Sequence, residues 1–143
     1  MRPCVNSAYK AYSTTKSNTD KENLLIMLYE CALRFVRLAQ FSIANKKFNE
    51  KGENISKVIA IITELDCALD HKIGGEIAAN LSALYCYMID KMTDANINNN
   101  PGALDEVVHI MTPLKDGFKK IKEEKYITTK SPKEIYEKVS FSV

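Results

Sequence analysis

The sequence predicts an all-α protein, an antiparallel up-down four-helix bundle. Only five Gly and four Pro punctuate its 143 residues, so few sites break a helix. Between those breaks apolar residues recur at steps of three and four, the helical period rather than the strand period. The resulting segments are each about 20 residues, or about 30 Å at 1.5 Å per residue, a matched set for a bundle.

The first segment opens at Thr19-Asp20-Lys21-Glu22, a capping-box pattern in which Thr19 accepts from the backbone of residue 22 and Glu22 reaches back. Leu24, Leu28, Cys31, Phe35, Leu38 and Ser42 then form one stripe, widened by Leu25, Ala32, Val36, Ala39 and Ile43. The polar run from Asn45 to Gly52 separates this helix from the next. The second helix carries Ile55, Val58, Ile59, Ile62, Leu65 and Leu69 and ends before Gly74-Gly75, which reads as an interhelical turn. The third carries Ile77, Leu81, Leu84, Met88, Met92 and Ala95 and ends in Asn96-Ile97-Asn98-Asn99-Asn100-Pro101-Gly102. The fourth carries Leu104, Val107, Val108, Met111, Leu114, Phe118 and Ile121, with Pro113 expected to kink it.

Residues 1–18 form a segment expected to cap the bundle through a short helix bearing Tyr9 and Tyr12; 19–121 form the bundle. Residues 122–143 form an extension in which Ser131-Pro132-Lys133-Glu134 is a helix-start signal. From Lys115 onward there are eight Lys and five acidic residues, so the end of the chain is mildly basic.

Composition narrows the function classes. Lys plus Arg total 20 against 18 acidic residues, too even a balance to imply a polyanion partner. No arginine follows Arg37, the tail lysines alternate with acids, and stacking aromatics are sparse, which argues against nucleic-acid binding. The longest apolar run, Leu24 to Tyr29, is far shorter than the roughly 20 residues of a membrane-spanning helix. The first residues lack the apolar core of a secretory signal, so the chain is expected in the cytosol. Cys4, Cys31, Cys67 and Cys86 show no metal-ligand spacing and read as reduced thiols, the last three packed in the core.

Chemistry-bearing constellations do not emerge. His71 and His109 sit in no zinc-binding motif, and His71 reads as facing the carbonyls at a helix end. Asp66/Asp70 and Asp90/Asp94 lie one helical turn apart but lack the Glu-x-x-His partners of a di-iron bundle, so they read as solvated faces. There is no nucleophile elbow and no phosphate loop, hence no enzyme, metal or cofactor is expected. Apolar residues exceed what one core needs. That surplus fits a thicker core closed by the N-terminal segment, a groove for a partner's amphipathic helix, or a homodimer with a structural or regulatory role.

Three stretches resemble the FliS family of flagellin-specific export chaperones. Ala8-Tyr9-Lys10-Ala11-Tyr12 is similar to its N-terminal tyrosine motif, Leu24 to Phe35 to its LxxMLYxxALRF helix, and Gly74 to Tyr85 to its GGEIAxNLxxLY run. The resemblance covers about residues 6–121 and implies a non-enzymatic helical bundle in the cytosol. Its implied function is to bind the disordered C-terminal segment of flagellin, prevent premature polymerisation and keep it export-competent. The C-terminal region of flagellin is the implied partner, with the export-gate protein FlhA, when flagellin is bound, and the anti-sigma factor FlgM as further candidates. Neither nucleic acid nor membrane insertion is implied.

The residues assigned to flagellin on this basis are Tyr9, Tyr12, Leu24, Leu28, Tyr29, Leu33, Ile62, Leu65, Leu81, Tyr85 and Met88. In the family the N-terminal segment overlies part of the client surface, which places Tyr9 and Tyr12 in a competitive lid. Periodicity alone leaves open which apolar stripe is core and which is groove. The chain departs from the family pattern at Cys31, where Gly is usual, at Phe118, near a usual Trp, and at Thr19-Asp20-Lys21-Glu22, which replaces Ser-Pro-Glu-Glu. For residues 122–143 the resemblance implies nothing.

Overall fold

A computed structural model of the chain describes residues 18–128, with side chains from residue 21 to 123. Four helices follow one another: α1 (Asn18–Ala44), α2 (Phe48–Cys67), α3 (His71–Asn98) and α4 (Pro101–Thr128), with no strand among the described residues. Connections this short can only return the chain beside itself, so successive helices are antiparallel. Each packs on two neighbours, α1 and α3 both lying between α2 and α4, which gives an up-down square. The tyrosine segment with Tyr9 and Tyr12, Cys4 and the Ser131 helix signal lie outside the described residues.

The core is one continuous cluster. α1 contributes Tyr29, Ala32, Leu33, Val36 and Ala39; α2 contributes Ile55, Val58, Ile62 and Leu65. α3 adds Tyr85, Met88, Met92 and Ala95, and α4 adds Ala103, Leu104, Val107 and Met111. Thus the widening row of α1 faces inward, while Leu28 and Phe35 of the expected main stripe pack on its flank and Leu38 is exposed. On α3, Ile77 and Leu84 of the expected stripe also face outward. Both α1 rows are apolar, and the tie is decided by where α2 and α4 lie, a tertiary fact.

Three boundaries differ from the sequence reading. The first turn is only residues 45–47, because Lys46 adopts a left-handed φ of 56°. Lys47 N–H then donates to Ser42 O (2.8 Å) and Lys46 N–H to Ile43 O (3.1 Å), closing a Schellman cap. Gly52, expected to break the chain, lies inside α2. The second turn is residues 68–70, so Gly74-Gly75 falls inside α3 rather than between helices, and His71 opens α3 instead of closing α2. At the third turn Asn99 takes a left-handed φ of 50°, Gly102 N–H donates to the Asn100 side chain (3.0 Å), and Pro101 starts α4. Proline suits that first position because its missing N–H would have had no helical partner. α4 continues through Pro113 as one helix to Thr128, past the expected bundle end at residue 121.

One end of the bundle is fastened by a buried cation. Lys51 Nζ donates to the Asn96 carbonyl (2.8 Å) and to the Asn99 side-chain oxygen (2.5 Å) and lies 5.2 Å from the centre of the Phe48 ring. It places positive charge against the C-terminal carbonyls of α3, where the helix dipole is negative. Gln40 reaches Asp105 (2.6 Å) and ties α1 to α4 at the same end.

Among the cysteines, Cys31 is a half-buried free thiol. Two expectations are corrected. Cys86 is exposed, because it lies outside the inward row of Tyr85, Met88 and Met92. Cys67, the last residue of α2, is disulfide-bonded. Sequence spacing does not show which thiols approach one another.

Candidate functional site

Residues 73–87, which include the GGEIAANLSALY stretch, carry exposed apolar side chains on α3. Asp70 caps the helix, accepting from the backbone N–H groups of Lys72 and Ile73 (3.0 Å each). Helical geometry then breaks at Gly75, whose φ of 50° and ψ of −122° suit a residue without a Cβ. At Gly74 a Cβ would lie 2.9 Å from that of Ala78, so close packing requires glycine there as well. After the break Ala78, Tyr85, Met88, Met92 and Ala95 point into the core. Beside this row Ile77 (71% exposed), Leu84 and Tyr87 are exposed, as is Ile73 (87%) before the break. Ile77, Leu84 and Tyr87, spaced 7 and 3 residues apart, share one face of a 3.6-residue helix, while Ile73 stands on the turn before the break at Gly75. Beyond Tyr87 the face turns polar, where Lys91 pairs with Glu106 (3.0 Å) and lies 5.4 Å from the Tyr87 ring centre. Glu106 holds the Lys91 ammonium above its ordinary pKa, first by hydrogen bonding and then by charge.

Behind this face stands a buried tyrosine pair. The hydroxyls of Tyr29 and Tyr85 are 2.5 Å apart, joining α1 to α3 across the square. The Tyr29 ring also packs against Phe118 of α4, with centroids 5.5 Å apart. Burial, then the hydrogen bond and field of Tyr85, push the Tyr29 phenol far above its ordinary range, so it stays protonated in the folded protein. The pair braces the helix that carries the face.

A second groove runs along α1 beside α4. It encloses about 410 Å³ and is lined by Glu30, Leu33, Arg34, Arg37, Leu38, Phe41 and Lys115. A shallower hollow of about 580 Å³ lies between α2 and α3 around Phe48, Gly52 and Asn96.

The residues assigned to a client from sequence divide by depth. Tyr29, Ile62, Leu65, Tyr85 and Met88 are buried in the core, so no partner reaches them while the bundle is closed, and Leu33, also buried, shows only where it lines the groove along α1. Leu24, Leu28 and Leu81 are half-buried at its margin, and Tyr9 and Tyr12 are outside the described residues. The accessible large apolar side chains among the described residues are instead Ile73, Ile77, Leu84, Tyr87 and Ile97 on α3, Met27, Leu38 and Phe41 on α1, Phe48 on α2 and Ile121 on α4. Sequence reasoning passed over Ile73 and Phe41. The signal for Phe41 was present, since Arg34, Arg37, Leu38 and Phe41 recur at helical steps.

The polar groups serve structure. Asp70 is a cap, and Asp94 accepts from the Asn98 and Asn100 side chains (2.6 and 3.3 Å). The His109 ring is 2.7 Å from the Asp105 carbonyl. Among the described residues no three His, Cys, Asp or Glu side chains converge as a metal site, and no helix is long and apolar enough to cross a membrane.

Residues 5–125 match the profile of the family described as flagellar protein FliS. The chain is 37% identical over 116 residues to the flagellar secretion chaperone FliS of Bacillus subtilis, covering 80% of this chain and 86% of that one. It is 34% identical to the protein of the same name from Campylobacter jejuni, covering 81% and 91% of the two chains. It is also 34% identical to the one from Salmonella typhimurium, covering 80% and 90%. The profile match over most of the chain and relatives of this identity and coverage show that the chain belongs to the FliS family of flagellar secretion chaperones.

Proposed function

We propose that this chaperone binds the disordered C-terminal segment of flagellin in the cytosol, prevents its premature polymerisation and keeps it competent for export. The observation that carries the reading is the exposure of Ile77 and Leu84 inside the stretch that most resembles the family motif, with Ile73 and Tyr87 exposed on either side of it. Covering a fully exposed Ile or Leu is worth about 1.5–3 kcal/mol, so a few such contacts offset the ordering cost of a disordered client. The core residues Tyr29, Tyr85 and Met88 hold α3 in place, and the exposed row makes the contact.

Calorimetric titration of the full chain with the C-terminal segment of flagellin from the same organism tests this. One-to-one binding with a large negative heat-capacity change is expected, because apolar surface is buried as the client folds. The double variant Ile77→Asp, Leu84→Asp is expected to abolish the heat while leaving the helical circular-dichroism signal unchanged. A folded wild-type protein that gives no heat overturns the reading.

A further inference from the structure

The groove along α1 beside α4 has an apolar floor and a cationic rim. Leu33, Leu38 and Phe41 line it, with Arg34, Arg37 and Lys115 at its edge. Leu38 (43%) and Phe41 (60%) are exposed. Met27 (58%) continues the same side of α1 toward the start of that helix, since residues 27, 34, 38 and 41 fall at helical steps. The acidic residue of the groove, Glu30, is engaged by Lys119 at 3.0 Å, and that pairing holds its carboxyl below the ordinary range. Neither arginine has an ion-pair partner among the described residues.

The chain itself supplies an occupant of the right length. Two bridges fix the register of α4 along the groove: Lys119 meets Glu30, and Asp105 meets Gln40 (2.6 Å). Measured back from Thr128, the last residue of α4, these levels lie about 14 Å and about 35 Å away at 1.5 Å per residue. Residues 129–143 follow. About three residues reverse the direction of a chain, and 132–143 then span about 40 Å when extended. One helical turn at Ser131-Pro132 shortens that to about 32 Å, which still brings Phe141 near the level of Leu38.

The chemistry of the segment matches the groove as well. Ile135, Glu137, Val139, Phe141 and Val143 occupy every second position, so an extended chain sets four apolar side chains and one carboxylate on one face. From Glu134 onward there are two Glu and one Lys, the sign that suits a rim of two arginines and a lysine. Attachment through a short connection gives a local concentration of order mM, so contacts too weak to hold a free peptide hold a tethered one.

We infer that residues 132–143 fold back along the α1/α4 groove of their own chain and cover it, with Phe141 seated against Leu38 and Phe41. The cover keeps this strip from other chains. It leaves the exposed side chains of α3 untouched, because α1 and α3 stand at opposite corners of the square, each packing on α2 and α4. The inference does not depend on what the client is.

The test places the photo-cross-linking residue p-benzoylphenylalanine at position 141 of the full chain and maps the products by mass spectrometry after irradiation. Cross-links are expected within one chain, to residues 33–41 of α1 or to the turns of α4 that face them. Mixing isotope-labelled with unlabelled protein distinguishes these from links between copies. L38D/F41D, which alters two exposed positions, is expected to abolish the link while leaving the helical circular-dichroism signal unchanged. Trypsin gives a readout without the label. Cleavage after Lys138 is expected to be about tenfold slower in the wild type than in L38D/F41D or in Phe141→Ser, a change that lies outside the four helices. Links to α2 or α3, links between copies, absence of any link, a link that survives L38D/F41D, or equal cleavage of wild type and Phe141→Ser overturns the inference.

Discussion

The two ends of the bundle are built differently. At the end where α1 turns into α2 and α3 into α4, Lys51 is buried against Asn96 and Asn99, and Gln40 holds Asp105. Ala103 and Leu104 fill the interior there. At the opposite end α3 begins with a capped turn, leaves helical geometry at Gly75, and presents Ile73 and Ile77 to solvent. Apolar side chains are exposed at both ends, Phe41, Phe48 and Ile97 at the first and Ile73 and Ile77 at the second; what sets the first apart is a buried cation with satisfied partners, and the second a helix broken at Gly75.

The largest effect should come from core truncation at the closed end. Leu104→Ala is expected to cost about 2–5 kcal/mol, from lost burial plus the cavity left behind. Ile77→Ala, at the open end, is expected to stay within about 0.5 kcal/mol. Urea unfolding of the two variants gives both numbers. Comparable losses would mean that Ile77 is covered in solution and would break the comparison.

Next comes Gly75→Ala, expected to cost about 1–3 kcal/mol because a φ of 50° with ψ of −122° is a conformation L residues rarely hold. No atom lies within 4 Å of the added Cβ, so the cost is conformational rather than steric. D-alanine at the same position, introduced by semisynthesis, is expected to restore stability, since its mirror-image preference matches this backbone. An unaltered melting temperature for the L-alanine variant would mean that the break is not a fixed feature of α3.

Lys51→Met should cost about 1–3 kcal/mol by removing the donor to a carbonyl at the α3 terminus. Its effect is expected to appear first as faster amide exchange around residues 96–100, with Ile73 and Ile77 untouched. Uniform loss of protection over the whole bundle would show that the two ends are coupled more tightly than their separate contacts imply.

Much of this was legible in the sequence, and the failures share a cause. Helix count, order and the α2 core row followed from periodicity, because α2 is apolar on one side only. α1 and α3 are apolar on two sides, so spacing could not say whether Tyr85 or Leu84 faced inward; the positions of α2 and α4 decide it. Glycine misled twice. Gly52 is ordinary helix interior, and Gly75 breaks α3 from within, because neither residue reports on its own which neighbours approach it. Lys51 read as one charge in a polar run, and only the meeting of two turns at one end makes it a buried clasp. The arginine groove was written at helical steps in α1, yet its cationic character depends on Lys119 engaging Glu30 from α4.

The smallest effect lies between the ends, at the tyrosine pair. Tyr29→Phe keeps the ring that packs on Phe118 and removes the hydroxyl that meets Tyr85, an expected loss of about 0.5–1.5 kcal/mol at neutral pH. Alkaline pH separates this pair from ordinary packing. In the unfolded chain a tyrosine ionises near pH 10, whereas Tyr29 in the folded protein holds its proton well above that. Above about pH 10 the folded state therefore binds more protons than the unfolded one, and stability falls as pH rises, while below that value Tyr29 adds no slope. Urea midpoints followed from pH 8 to 11 should decline more steeply in the wild type than in the Tyr29→Phe variant. Parallel declines would place the Tyr29 hydroxyl in solvent rather than between the two ends, and the bundle's middle would then belong with its open end.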